Sequence, residues 1–293
     1  MRRWRAEIAL ILNTVIWGST FVLVKNALAD VSPLLFLALR FSLATFALLF
    51  LFRRRWSTPR KGANAARAGL LAGVFLFGGY LFQTLGLRLT TAPKSAFLTG
   101  LSIAMVPLLS SAVYRIKPRL IELLGVALAT SGLGLMTLER AGWGINPGDV
   151  LTVVCAVLFA AHIVTVGHYA GRISFEPLSL GQVATCAVLA LAGLWWAETP
   201  VIQWNFGVFI AVAVTGLLAT ALAFTVQAWA QQYTTSTRTA LIFALEPVFA
   251  WTTSFLLTGE TLSRRAAAGA GLILAGILLV ELKPFSLEHH PSE

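Results

Sequence analysis

Charge is what this chain has least of. Asp, Glu, Lys and Arg make up 12% of its 293 residues, where about a quarter is usual for a soluble domain, and 57% of the residues are hydrophobic. With a mean hydropathy of +0.80, that shortage excludes a soluble globular protein. Cysteine is nearly absent as well. Cys155 and Cys186 each fall inside an apolar segment, which gives no disulfide framework and makes them small packing residues. The chain has no phosphate-binding loop ending in Gly-Lys-Ser/Thr, no His-Glu-x-x-His, no Cys-x-x-Cys and no cluster of carboxylates suited to two-metal chemistry. No catalytic residue, metal site or cofactor is therefore predicted. The period-2 alternation of a transmembrane β-barrel is missing too.

What the chain has instead is long apolar runs. Ten stand out, at about residues 6–28, 33–52, 67–89, 94–114, 119–138, 149–169, 177–197, 205–231, 238–257 and 264–282. Backbone in lipid must satisfy its own hydrogen bonds, so such runs predict helices. Ten spans of about 20 residues use roughly 200 residues, which leaves short loops and puts any site between helices. The predicted fold class is an all-α polytopic membrane protein of ten transmembrane helices, with the lipid bilayer as its first partner.

The net charge of +10 gathers at the ends of these runs, so nucleic acid is not an expected partner. Fifteen of the Lys and Arg residues fall on one predicted side, among them Arg2, Arg3, Arg5, Arg53, Arg54 and Arg55. Six fall on the other side, and Arg40 lies within a span. By the positive-inside rule both termini are cytoplasmic. Trp143, Trp195, Trp196 and Trp204, near predicted outer ends, fit an interfacial aromatic belt. The N-terminus imitates a secretory signal, but its apolar run is about twice the length of an h-region, so a retained first span is expected. The tail, residues 284–293, is polar and expected to be disordered.

The chain also contains itself twice. At a spacing of 144 residues, Pro33 recurs as Pro177, Gln83 as Gln227, Gly125 as Gly269 and Gly132 as Gly276, while Lys94 is answered by Arg238 and Ser95 by Thr239. Five spans per half, an odd number, insert the second half upside down. That arrangement lets a carrier alternate between two facing states, and it points to transport. The expected domains are a first repeat at 6–140 and a second at 145–283 around a central cavity.

Polar side chains inside spans are costly and tend to face a cavity or another helix. Helical phase puts Tyr80, Gln83 and Thr84 on one face of the third span and Phe224, Gln227 and Gln231 on one face of the eighth. Ser95, Thr99 and Ser102 form a stripe in the fourth span. Thr239, Phe243 and Glu246 form the matching stripe in the ninth, so a hydroxyl at Ser102 answers a carboxyl at Glu246. In the first span Asn13, Trp17 and Thr20 share a face, and in the sixth Phe159 and His162 do. These residues are the candidate lining of a substrate cavity. Packing or hydrogen bonding between helices is the alternative at each position.

Several of them carry a second reading. An ionisable group at the helix centre costs about 2.5–3.5 kcal/mol to insert, so Glu246 either binds a substrate ammonium, carries a proton, or bonds backbone freed by Pro247. His162 either senses pH or is a hydrogen-bonded structural group. Pro107 and Pro247 predict kinks at different heights, because Pro107 lies four residues late under the repeat. Lys94 and Arg238, at the starts of matching helices on opposite sides, read as anchors or gate charges. Arg40 either attracts a carboxylate or snorkels outward and pairs with Asp30. Gly125 with Gly132, and Gly269 with Gly276, predict close helix approach, within the chain or in an oligomer; monomer and homo-oligomer both stay open.

Trp17-Gly18-Ser19-Thr20-Phe21, Arg40-Phe41, the run from Ser95 to Leu101, Leu245-Glu246-Pro247 with Gly259-Glu260, and Gly269 with Gly276 together resemble EamA-type members of the drug/metabolite transporter superfamily, over about residues 6–283. The resemblance implies two inverted five-helix EamA repeats around a central cavity in a bacterial inner membrane. It implies export of amino acids, aromatic and other neutral ones among them, or of related small metabolites. Organic cations, nucleosides or sugars are the alternative substrates, and a membrane-embedded enzyme or non-transporting scaffold is the alternative class. The chain departs from the pattern at Phe159-Ala160, where the first repeat has Trp17-Gly18, and at the Ser102/Glu246 pair. Small quaternary-cation exporters of the superfamily depend on a carboxylate midway along the first helix. Here Asn13 and Thr14 stand in that region, which argues against drug–proton exchange by that route.

Overall fold

Where the sequence turns from apolar run to Pro, Asn or Thr, helices begin. The structure is a computed structural model that describes residues 2–53, 65–89, 92–115, 117–138, 146–258 and 263–281. Its helices are α1 (Arg2–Ala27), α2 (Pro33–Phe52), α3 (Ala65–Leu89), α4 (Ala92–Gly100), α5 (Ser102–Tyr114), α6 (Leu120–Thr137), α7 (Pro147–Ala170), α8 (Phe175–Leu194), α9 (Phe206–Gly216), α10 (Ala223–Ala230), α11 (Ser236–Phe243), α12 (Glu246–Thr258) and α13 (Arg264–Glu281), with a π-helical turn, Leu217–Leu222, between α9 and α10. With α4–α5, α9–α10 and α11–α12 each taken as one rod, every predicted run is met by a rod, with ends within about four residues. Among the described residues six rods are long and apolar enough to cross a membrane: Pro33–Phe52, Ala65–Leu89, Phe97–Tyr114, Pro147–Ala170, Phe175–Leu194 and Phe206–Ala230. Trp143 and the tail at 284–293 lie outside the described residues.

Local chemistry sets the starts. Asn146 caps α7 by accepting from the Asp149 N–H at 3.0 Å, and Asp149 returns the bond to the Asn146 N–H at 2.9 Å. Asn205 caps α9 and Thr235 caps α11 in the same sense. α2 opens on Pro33, and its first free N–H groups, Leu34 and Leu35, are received by the carboxylate of Glu198 from the α8–α9 connection. A single antiparallel bridge, Val31 to Ile202, and an Asn205 to Asp30 bond at 2.8 Å fasten the same two connections together. Trp195, Trp196 and Trp204 stand exposed at this end.

The interruptions fall elsewhere than the prolines suggest. Pro107 is buried within an unbroken α5, and the break in that rod is at Leu101. The partner rod breaks at Ala244 and Leu245, just before Glu246 and Pro247. Leu101 and Leu245 are 144 residues apart. The two rods are thus interrupted at equivalent positions, ahead of Pro107 in one and of Pro247 in the other. Ser102 and Glu246 each open the segment after the break.

α3 packs against α7 and α8, α2 against α8 and α9, α1 against α10 and α12, α5 against α7 and α11, and α6 against α13. The α6–α13 pair uses the four glycines reciprocally. A Cβ on Gly276 would lie 2.5 Å from the Gly125 carbonyl, and one on Gly269 would lie 2.5 Å from the Gly132 carbonyl. Only hydrogen lets these backbones approach so closely. The small-residue faces are thus consumed within the chain. Outward, large apolar side chains such as Phe46, Phe50, Val188 and Phe209 are exposed, a surface suited to lipid and costly in water.

Candidate functional site

Midway along the bundle the aromatic side chains singled out by helical phase meet. Trp17 of α1 lies 4.9 Å, ring to ring, from Phe243 of α11 and 5.6 Å from Phe224 of α10. Tyr80 of α3 lies 5.3 Å from Phe159 of α7, 6.2 Å from Phe224 and 5.5 Å from Phe41 of α2. Phe159 reaches Tyr80 because it packs flat on Gly79, where a Cβ would collide with its ring at 2.5 Å. His162 joins edge-on to Phe224 at 5.7 Å. Rings from six rods, three in each half of the chain, thus form one tilted and edge-to-face cluster. Such pairs contribute about 0.5–1.5 kcal/mol each beyond their buried area.

The cluster leans on the π-helical turn. π register turns carbonyls out of the helical ladder, and here Ala219 O accepts the Trp17 indole N–H at 2.9 Å and Arg40 Nη2 at 3.3 Å. Thr220 Oγ1 accepts Arg40 Nε at 2.6 Å and donates to Thr215 O at 2.8 Å. Arg40 Nη2 also donates to the Tyr80 hydroxyl at 3.1 Å, and its guanidinium sits 4.5 Å from the Tyr80 ring centroid. One turn further along, Asn13 Nδ2 donates to Ala223 O at 2.8 Å. Arg40 therefore neither snorkels nor pairs with Asp30. Arg40 is 4% exposed, its guanidinium held by Thr220 and Ala219 of the π turn and by the Tyr80 hydroxyl.

Polar groups divide by exposure. Gln83, Thr99, Ser102 and Glu246 are partly exposed in mid-rod, as are Trp17, Tyr80, Phe159 and Phe243. Gln83 Nε2 donates weakly to Thr99 Oγ1 at 3.5 Å, and Thr99 lies 3.9 Å from the Cys155 sulfur. Glu246 makes no hydrogen bond or ion pair among the described residues. Its backbone is fixed by contact with α1, since a Cβ on Gly18 would lie 2.8 Å from the Glu246 carbonyl.

The other polar residues are occupied inside the protein. Gln227 is buried and donates to Gln231 at 3.1 Å, and Gln231 in turn donates to Ile163 O. His162 is buried against Gln182 of α8 at 2.7 Å. Thr20 and Thr84 turn their hydroxyls back to Trp17 O and Tyr80 O, and Ser95 is buried. Arg238 is buried at the start of α11, where it reaches Val280 O at 3.2 Å and Glu7 at 3.6 Å, tying α11 to α13 and α1. The Lys94 side chain lies outside the described residues; its backbone is in α4. Pro247 is the second residue of α12. Among the described residues no three metal-ligating side chains cluster.

Three participants escape a reading by helical phase. The π turn has no sequence signature. Gln182 is a mid-span amide of the seventh run that the phase argument passed over. Arg40 had a signal: Phe36, Leu37, Leu43 and Ala44 surround it on its own helix, so no local acid can neutralise it and its partners must be remote.

An apolar exterior, ten helical rods among the described residues and an interior of edge-to-face aromatics with sparse polar groups define a polytopic helical membrane protein. Residues 4–138 and 146–282 match the EamA-like transporter family, and the chain belongs to that family. It is similar to an uncharacterized transporter of Archaeoglobus fulgidus, 34% identical over 286 residues, with 97% of this chain and 88% of that one covered. It is also similar to the uncharacterized inner membrane transporter YedA of Escherichia coli strain K12, 24% identical, covering 97% and 92%. A solved crystal structure superposes with a TM-score of 0.79 at 19% identity, covering 95% of this chain and 96% of that one, which speaks to the fold. The chain is a membrane transporter, and its family implies a small-molecule substrate.

Proposed function

We propose that this chain is an inner-membrane carrier that exports amino acids, aromatic and other neutral ones, by alternating access. In this reading residues 6–140 and 145–283 are two inverted repeats of five transmembrane helices with both termini cytoplasmic, and the chain sits nearest the branch of the bacterial aromatic amino acid exporter YddG. The observation that carries it is the aromatic cluster, drawn from three rods in each half, on rods that also carry partly exposed Gln83, Thr99, Ser102 and Glu246 or pack against those that do. Rings of Trp17, Tyr80, Phe159 and Phe243 accept a variable side chain, while the amide, hydroxyls and carboxyl meet the charged ends. Reciprocal packing supports the inverted repeat: α3 on α7 is answered by α10 on α1, α3 on α8 by α9 on α2, and α5 on α7 by α12 on α1. The matched breaks at Leu101 and Leu245 support it further, since discontinuous helices at the midplane are where carriers bind substrate.

A Glu246 carboxyl with no ion pair among the described residues, in a chain whose core holds an aromatic cluster, also suits an organic cation that lacks a carboxylate. Purified protein in liposomes separates the two. Labelled phenylalanine and leucine should enter faster than into empty liposomes and compete with each other. Uptake of an organic cation without any zwitterion flux would replace the amino-acid reading with the second one.

A further inference from the structure

Arg40 is a cation in the wrong company. It lies eight residues into α2, 4% exposed, where a charged group removed from water costs several kcal/mol unless it is paired. Every acceptor around it is neutral: Thr220 Oγ1, the Tyr80 hydroxyl and Ala219 O, with the faces of Tyr80 and Phe41 at 4.5 and 5.6 Å. The nearest acids by topology are engaged elsewhere, Asp30 with Asn205 and Glu198 with the start of α2. Arg40 has no ion pair among the described residues.

Its donors are used unevenly. Nε and Nη2 hold the π turn and the tyrosine from behind. Nη1 has no hydrogen-bond partner among the described residues, and it is not among their fully occluded polar atoms that lack one. The guanidinium is thus oriented by two of its nitrogens and leaves the third open, beside the Tyr80 ring that belongs to the aromatic cluster. π-helical turns recur at functional sites, and here the turn's Ala219 carbonyl receives both Trp17 and Arg40. An ionisable residue within a span, without a protein counter-ion, marks a ligand position.

We propose that Arg40 Nη1 is the anchor for a substrate carboxylate. The inference rests on the amino-acid reading above and narrows it: the substrate is an α-amino acid held by its carboxylate at the π turn, with its ammonium toward Glu246. The Glu246 backbone packs on Gly18, next to Trp17, and the Trp17 and Tyr80 rings both contact Phe224, so the two poles belong to elements that meet in one aromatic cluster. Thr220 and Tyr80 act as positioning residues that fix the guanidinium plane.

The test is competition against labelled phenylalanine uptake in proteoliposomes, with phenylalanine, phenylalaninamide and phenethylamine as competitors. In the unmodified protein the amide and the amine should be weaker competitors by about tenfold or more, the scale of a charge-assisted hydrogen bond. Arg40→Gln should raise the KM for phenylalanine by a similar factor while leaving inhibition by phenethylamine nearly unchanged, and Arg40→Lys should recover part of the loss. Equal weakening of phenylalanine and phenethylamine in Arg40→Gln would reduce Arg40 to a structural clamp and overturn the proposal. If Arg40→Gln does not fold, the unmodified protein still decides: an amide that competes as well as the acid overturns the anchor. Absence of any phenylalanine uptake overturns the amino-acid reading itself, whereas uptake indifferent to the carboxylate overturns only the anchor.

Discussion

Gly269 and Gly271 are two residues apart on α13, and alanine at each should have opposite consequences. At Gly269 the added methyl would sit 2.5 Å from the Gly132 carbonyl and 2.8 Å from the Met136 N–H nitrogen. Both are backbone atoms of α6, so no side-chain rotation relieves the clash, and the helices must part by about 1 Å to restore ordinary contact. Overpacking of this kind costs about 1–3 kcal/mol. At Gly271 nothing lies within 4 Å of the added carbon. There alanine contributes only its better helix propensity, about 1 kcal/mol over glycine. Gly269→Ala gains the same propensity term, so the difference between the variants isolates the steric cost. On the scaling for soluble chains, about 2–4 °C per kcal/mol, their apparent midpoints should differ by roughly 2–12 °C. Differential scanning fluorimetry in one detergent at one scan rate reads this, the fixed rate being needed because irreversible unfolding makes the midpoint rate-dependent. Transport KM in the surviving Gly269→Ala protein should be unchanged, since neither helix contributes to the aromatic cluster. Equal midpoints, or a Gly269→Ala protein more stable than Gly271→Ala, would refute glycine-mediated contact as the bond between these helices.

Trp17→Phe keeps a ring against Phe224 and Phe243 but removes the donor to Ala219 O; a loss of about 0.5–1.5 kcal/mol is expected in thermal denaturation, and no loss would remove that hydrogen bond from the account. His162→Leu strips the acceptor end of buried Gln182, whose Nε2 is already unpaired, and should cost about 1–3 kcal/mol. Adding Gln182→Leu should recover part of that cost, and strictly additive losses would contradict the pairing. Under an imposed proton gradient, Glu246→Gln should lose whatever gradient response the unmodified protein has; identical responses would exclude Glu246 from coupling. Cys155 and Cys186 are both fully buried, so a maleimide should label neither thiol in the native protein and both after denaturation.

What could be read from the sequence followed the length scale of each feature. Helix positions were legible because a span of about 20 apolar residues is an unambiguous signal, and the aromatic cluster was legible because helical phase collects side chains three and four residues apart. Gln83 and Gln227 show where phase stops. Both occupy the same place in the repeat, yet Gln227 is buried because Gln231, one turn on, supplies an amide, whereas the equivalent position in the first half is Leu87. The π turn was invisible, since a shift of hydrogen-bond register in Leu-Leu-Ala-Thr-Ala-Leu needs no special residue. Arg40 was misplaced because its acceptors are remote in sequence, Thr220 and Ala219 180 and 179 residues on and Tyr80 40 residues on. The interruptions at Leu101 and Leu245 could not be read from Pro107 and Pro247, because a missing N–H permits a break without specifying where it falls.

Alternating access is the claim on which the rest depends, and Ser102 reports on it most directly. It opens α5 at the break, is partly exposed and is small enough to replace conservatively. In a chain carrying Cys155→Ala and Cys186→Ala, Ser102→Cys would be reconstituted in one orientation and challenged with a membrane-impermeant thiol reagent from each face in turn. The account predicts modification from both faces, slowed in each case by phenylalanine. Modification from one face only, with or without substrate, would contradict it.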